Sequence, residues 1–212
     1  MSLVVDRFVL GPAQENCYFV RAERGAPEGV LVDPGDESAQ LRLELARTGA
    51  QCAALLVTHC HFDHIGAVAA LAEATGAPVY CSELEAPILQ APDDFYGELG
   101  VRIRPATPDV MLAGGETLEL AGVSFETVAV AGHSPGHLAF AADGCLFSGD
   151  VIFAGSVGRT DLPFSDWETL LASIRLLYDR FAPETVVYPG HGPETTLGAE
   201  RARNPFLEEL RT

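Results

Sequence analysis

The chain has 212 residues, 30 of them acidic and 13 basic, for a formal net charge of -17. Nucleic-acid binding draws its affinity from clustered Lys and Arg, and only Arg201 and Arg203 come close to a basic cluster, so no nucleic-acid partner is expected. No window approaches the ~18 uncharged apolar residues of a membrane span, and Asp6 and Arg7 interrupt the stretch a signal peptide needs; a cytoplasmic protein without a membrane partner is expected.

The length favours one domain over 1–212. Five cysteines, an odd set without zinc-ribbon spacing, suit reduced thiols better than a disulfide frame. Along the chain, apolar runs at Leu3 to Leu10, Cys17 to Val20 and Val30 to Val32, separated by Gly11-Pro12 and Gly25-Ala26-Pro27, predict an antiparallel meander. Asp33-Pro34-Gly35-Asp36 closes the third strand, and a helix carrying Leu41, Leu45 and Ala46 on one side follows. The run Cys52 to Val57 reads as a buried strand that leads into Thr58-His59-Cys60-His61-Phe62-Asp63-His64. In an extended segment side chains alternate, so His59 and His61 project to one side while Cys60 and Phe62 point away. Two imidazoles so placed can share one cation. The spacing of Ile65, Val68, Leu71 and Ala72, ending at Gly76, predicts a helix with Asp63 and His64 at its N-terminus, where a second cation could be held.

Pro78 to Cys81 predicts another strand, and Ala91 to Asp109, rich in Pro, Asp and Gly, reads as an irregular crossing segment that lines or covers a pocket with Phe95, Tyr96, Arg102 and Arg104. Strands are predicted at Thr117 to Leu120, Val123 to Val130, Leu138 to Ala141 and Cys145 to Ser148, turned by Ala121-Gly122 and Asp143-Gly144. A helix follows from about Asp166 to Arg180, with Ser165 and Glu168 spaced as a capping box and Trp167, Leu170, Leu171, Ile174 and Leu177 as its apolar stripe. Trp167 and Tyr178 are therefore packing residues. The strand Thr185 to Tyr188 then delivers Pro189-Gly190-His191. Two halves of strands capped by helices predict two sheets face to face with helices outside.

Three more polar groups stand at strand ends: Gly132-His133-Ser134-Pro135-Gly136-His137, Ser148-Gly149-Asp150 and Gly190-His191-Gly192. A lone His in any of them is ordinarily a satisfied structural residue. Five His and two Asp emerging at the same kind of position point instead to a metal site assembled from several loops on one rim.

These motifs, in this order, resemble those of the metallo-β-lactamase-fold hydrolases. Gly158-Arg159-Thr160-Asp161 and the stretch from Thr196-Leu197-Gly198-Ala199-Glu200 to Asn204-Pro205-Phe206-Leu207 are similar to the short glyoxalase II-like branch. The resemblance implies an α/β (α+β) fold, a four-layer αββα sandwich of two mixed sheets with helices on both outer faces. It implies two divalent metal ions, zinc foremost and iron or manganese as substitutes, one on His59, His61 and His133, the other on Asp63, His64 and His191. Asp150 would bridge them, and Asp63 and Asp150 would be the catalytic carboxylates. Asp33 would orient a ligand histidine, and His137 would be a hydrogen-bonded non-ligand.

The implied chemistry is thioester hydrolysis of the S-D-lactoylglutathione type by a metal-bridging hydroxide, two cations ~3.5–4 Å apart lowering the pKa of a shared water. The substrate would be a small-molecule thioester, glutathione-derived, with Arg159 matching a position that contacts a glutathione carboxylate. Only Gly192 to Thr195 separate the last ligand histidine from the tail motif, where full-length glyoxalase II carries a helical segment whose basic groups face glutathione. Asp150 stands where the exported dizinc β-lactamases carry a cysteine, and His61 where the flavodiiron proteins carry a glutamate. The alternatives are a mononuclear iron persulfide dioxygenase, or a lactone or phosphodiester hydrolase of the same fold. Nothing in the sequence sets an oligomeric state.

Overall fold

Apolar side chains of the second and third strands alternate onto two faces, and both faces are buried in the computed structural model, which describes residues 3–211. The first sheet runs in the order β1 (Val4–Leu10), β2 (Glu15–Arg21), β3 (Glu28–Val32), β4 (Gln51–Leu56), β5 (Val79–Ser82), β6 (Val110–Leu112). Strands β1 to β3 form the predicted antiparallel meander, while β3 to β6 pair in parallel, so the sheet is mixed. The second sheet has the order β14 (Thr195–Thr196), β13 (Val186–Pro189), β10 (Cys145–Gly149), β9 (Leu138–Ala142), β8 (Val123–Ala129), β7 (Thr117–Leu120). It is antiparallel except for the β10–β13 pair. A two-stranded ribbon joins β11 (Ile152–Phe153) to β12 (Ser156–Val157).

Alternation assigns the layers. Tyr18, Val20, Val30, Val32 and Leu56 meet Phe125, Phe140 and Phe147 between the sheets, while Cys17, Phe19, Leu31 and Leu55 face the opposite way. There they pack against Leu41 and Leu45 of α1 (Ser38–Thr48) and Val68 and Leu71 of α3 (Val68–Thr75). On the far side Val128, Ala139, Leu146 and Val187 pack against α6 (Trp167–Arg180) and α7 (Leu197–Arg203). The result is the four-layer αββα sandwich.

Three local expectations change. The helix expected from Asp63 to Gly76 is two, α2 (Phe62–Ile65) and α3, parted at Gly66 and Ala67. The turn after β3 presses on this joint: a Cβ on Gly66 would overlap the carbonyl of Gly35, and Ala67 N donates to Pro34 O at 3.0 Å. The segment from Ala91 to Asp109 is not wholly irregular, because α4 (Ala86–Gln90) leads into α5 (Pro92–Tyr96) and a 3-10 turn at Gly97–Leu99. Pro92 lies in the first turn of α5, as Pro87 does in α4, where a missing N–H costs nothing, so a residue that read as a loop signal starts a helix instead. Finally, Asp166 rather than Ser165 caps α6: its carboxylate accepts from Thr169 N at 2.8 Å, while the Ser165 hydroxyl is engaged with Leu162.

Trp167 and Tyr178 pack against the second-sheet core, as expected from the stripe. The tail motif serves as an anchor. The buried Glu200 carboxylate accepts from Gly155 N, Thr195 Oγ1 and Asn204 Nδ2, and Asn204 Nδ2 also donates to Ser156 O.

Candidate metal centre

Parallel pairing puts the C-terminal ends of β3, β4, β10 and β13 on one rim, and each ends in one of the polar motifs. Two backbone bonds tie the sheets together there: Asn16 N donates to Gly190 O at 2.7 Å, and Leu138 N to Thr58 O at 2.8 Å. His59 and His61, one residue apart in alternation, do turn to the same side, with His59 Nε2 3.0 Å from His61 Nδ1. His133, from the loop between β8 and β9, brings its Nε2 to 2.8 Å from His61 Nδ1. On the other side, His191 Nε2 lies 3.3 Å from Asp63 Oδ2. His59, His61 and His133 form one group able to hold a metal ion; Asp63, His64 and His191 form another.

Asp150 stands between them. Its Oδ1 is 3.4 Å from His64 Nε2, and its Oδ2 is 3.5 Å from both His133 Nε2 and His191 Nε2. The approach needs glycine at position 190, where a Cβ would overlap Asp150 Oδ1. All seven predicted ligand residues therefore converge on one point of the rim.

Surrounding groups fix which nitrogens face inward. Asp33 adopts a left-handed φ of 50°, uncommon for a residue with a side chain, and its carboxylate accepts from Thr58 N at 2.7 Å and Thr58 Oγ1 at 2.6 Å. Its Oδ2 also accepts from His64 Nδ1 at 3.0 Å. Because the Thr58 hydroxyl donates to Asp33, its oxygen accepts from His59 Nδ1 at 3.0 Å. His133 Nδ1 donates to the Arg159 carbonyl at 2.8 Å. In His59 and His133, whose rings stay neutral, the Nε2 is thus left as the inward lone pair, and His64, held through Nδ1 by Asp33, turns its Nε2 toward Asp150. His137 is turned away from the cluster: it stacks on His59, and its Nε2 accepts from Asp150 N at 3.1 Å.

The electrostatics divide the two groups. Burial, then the neighbouring imidazoles, holds His61 down at about 4, and burial likewise keeps His59 and His133 below the ordinary imidazole range. For His64, burial also lowers the pKa, but Asp150 and Asp33 outweigh it and hold the ring well above its usual value. Burial raises Asp150, and His64, His133 and His191 more than reverse that, keeping it ionised. Buried negative charge is therefore concentrated where a cation is called for. The residues fit a pair of divalent ions on a further count: His64 Nε2 and Asp150 Oδ1 are buried without a hydrogen-bond partner, a cost of ~1–3 kcal/mol each that coordination removes.

Two carboxylates at the site carry no signal in the sequence. Glu85, wholly buried at the start of α4, accepts from Cys60 N at 3.1 Å through one oxygen and from Gly136 N at 2.9 Å through the other. It joins the loop of His59 and His61 to that of His133 and His137. Glu15 is buried with neither oxygen hydrogen-bonded, 3.9 Å from His64 Nδ1; burial, opposed by His64, raises its carboxyl well above the usual range. Nothing local sets either apart among 30 acidic residues. Cys60 points away from the cluster as expected, 3.6 Å from Cys81 Sγ in the first-sheet core. In the 91–109 segment Phe95 and Tyr96 do line the cavity above the cluster, and the Tyr96 hydroxyl donates to Cys60 O at 2.6 Å. Arg102 and Arg104 do not; they form exposed ion pairs with Asp93 and Glu73. Arg159 lines the cavity with its guanidinium on Asp161, at 2.7 and 2.8 Å.

Fold and site together define a metal-dependent hydrolase of the metallo-β-lactamase kind. Residues 10–191 match the family model of the metallo-beta-lactamase superfamily, and the chain belongs to that superfamily. It is 34% identical to "Hydroxyacylglutathione hydrolase GloC" of Haemophilus influenzae, over 92% of this chain and 93% of that relative. Among solved structures it is similar to the BLEG-1 B3 metallo-beta-lactamase, with a TM-score of 0.90 and 38% identity, covering 97% of this chain and 100% of that one. It is also similar to TTHA1623 in a di-iron-bound form, with a TM-score of 0.86 and 46% identity, covering 96% and 100%. Among the described residues, no helix is long and apolar enough to cross a membrane.

Proposed function

We propose that the chain is a dinuclear hydrolase of thioesters, its reaction of the S-D-lactoylglutathione type. One observation carries the two-metal part: a single ionised carboxylate, Asp150, lies within 3.5 Å of nitrogens from both His/Asp groups. His59, His61 and His133 would hold one cation, Asp63, His64 and His191 the other, with Asp150 shared; zinc, iron and manganese all suit such donors. Two such cations supply, when bound, the charge that acidifies water toward neutrality and polarises a carbonyl oxygen.

The chain's own residues do the rest. Asp33, Thr58 and the Arg159 carbonyl hold the rings of His64, His59 and His133 by their Nδ1 atoms, which orients the Nε2 atoms inward. His137 holds the backbone of Asp150. Asp63, kept ionised chiefly by His191 and His64 against the effect of burial, would serve as the proton acceptor. The relative named for hydroxyacylglutathione hydrolysis supports the thioester reading. The similarity to a structure described as a B3 metallo-beta-lactamase favours a second one, opening of a β-lactam ring, which is also attack at an acyl carbon.

A substrate panel of S-D-lactoylglutathione, a β-lactam, a lactone and glutathione persulfide, run with metal content measured on the same sample, tests this. About two ions per chain, with thioester cleavage lost on chelation and restored by metal, is the expected result. Oxygen uptake with the persulfide and one iron per chain would replace the proposal with a persulfide dioxygenase.

A further inference from the structure

Large apolar side chains stand open to water around the mouth of the metal-ligand cluster. Phe62, Phe95, Leu99 and Phe164 are 41, 45, 72 and 82% exposed, and all four line one cavity of about 550 Å³ whose floor includes His61, Asp63, His133, Asp150 and His191. They come from three separate segments: the start of α2, α5 with its following turn, and the loop before α6. Scattered exposed hydrophobics are ordinary, but a contiguous group walling a concavity marks a ligand site. Phe164 adds a second observation. It holds a φ of 66°, a left-handed conformation that a bulky residue rarely adopts, without the burial that would offset the strain.

Charge around the cavity points the same way. All 13 basic residues of the chain are arginine. Among the described residues Arg159 is the only one lining the cavity, and its guanidinium is already bidentate to Asp161. A glutathione thioester, with two carboxylates, meets no free arginine on these walls and a protein of net charge -17. The polar groups of the cavity are then concentrated at the floor, where the reacting carbonyl would be held. The walls offer hydrocarbon to whatever extends from it.

We infer that the preferred substrate is an uncharged thioester with an extended apolar arm seated against Phe62, Phe95, Leu99 and Phe164, rather than an anionic tripeptide thioester. This rests on the thioester reading and names its substrate class. Each methylene moved from water to the wall is worth about a fourfold gain in kcat/KM until the wall is covered.

The test uses the metal-loaded full chain. One series runs acetyl, butyryl, hexanoyl and octanoyl thioesters of N-acetylcysteamine; a mirror series runs acetyl thioesters of alkanethiols of the same lengths; S-D-lactoylglutathione is the reference. We expect kcat/KM to climb with chain length in at least one series and to exceed the reference at least tenfold at its top. Phe164→Ser and Leu99→Ser, at sites exposed enough to spare the core, should flatten that slope, and Phe164→Leu should keep it. Binding of an uncleavable octyl thioether to wild type and to the Ser variants, measured by calorimetry, should follow the same order. Flat series alongside rapid cleavage of S-D-lactoylglutathione would overturn the apolar assignment and leave the thioester reading intact. Cleavage of no thioester at all would overturn both, and a slope that the Ser variants leave unchanged would refute the wall.

Discussion

Removal of the Glu85 carboxylate should weaken both the fold and the metal centre, because one buried side chain closes the gap between two ligand loops. In the Glu85→Ala variant, Cys60 N and Gly136 N each lose a bond to a charged acceptor, worth ~1.5–3 kcal/mol, for a total of about 3–6 kcal/mol. Against a typical stability of ~5–15 kcal/mol this is a large share. Glu85→Gln keeps one acceptor oxygen and turns an NH2 group toward the other N–H, so at least about half the loss should remain. Urea unfolding of the metal-free chain isolates the effect, since no bound ion then contributes to stability. The same variants should bind metal more weakly in a chelator competition, the alanine variant most. A loss below ~1 kcal/mol in Glu85→Ala, with unchanged denaturant slope and metal affinity, would refute the reasoning.

Asp150→Asn should abolish turnover and reduce metal content while the circular dichroism spectrum stays that of the wild type, because the substitution removes charge between the two groups without changing side-chain size; full activity would refute the shared-carboxylate role. Metal at about a thousandfold its dissociation constant should raise the thermal midpoint by roughly 10 °C over the chelated chain, from ~4 kcal/mol of linkage at ~2–4 °C per kcal/mol. Scanning calorimetry with and without chelator measures it, and equal midpoints would count against coordination by the native fold. Asp166→Ala should cost about 1 kcal/mol through loss of the α6 cap, whereas Ser165→Ala should leave that cap intact; the ranking is read from urea midpoints.

The seven residues that converge on the rim, the meander, the strands that follow it and the amphipathic helices were legible in the sequence alone. Local physics sufficed for these: alternation turns His59 and His61 to one side, strand ends present polar residues on a rim, and apolar periodicity sets which face each element buries. What lies across space from those elements emerges only on folding. Glu85 and Glu15 look like any other acidic residue until folding buries them beside the ligand loops. The break between α2 and α3 arises from pressure by the Asp33–Gly35 turn, a contact with no signal in the helix's own sequence. Arg159, legible as a basic residue near the site, is held by Asp161 two positions away. The apolar mouth is assembled from three segments whose phenylalanines and leucine are unremarkable one at a time, because a cavity is a property of the surfaces that meet and not of any stretch of chain.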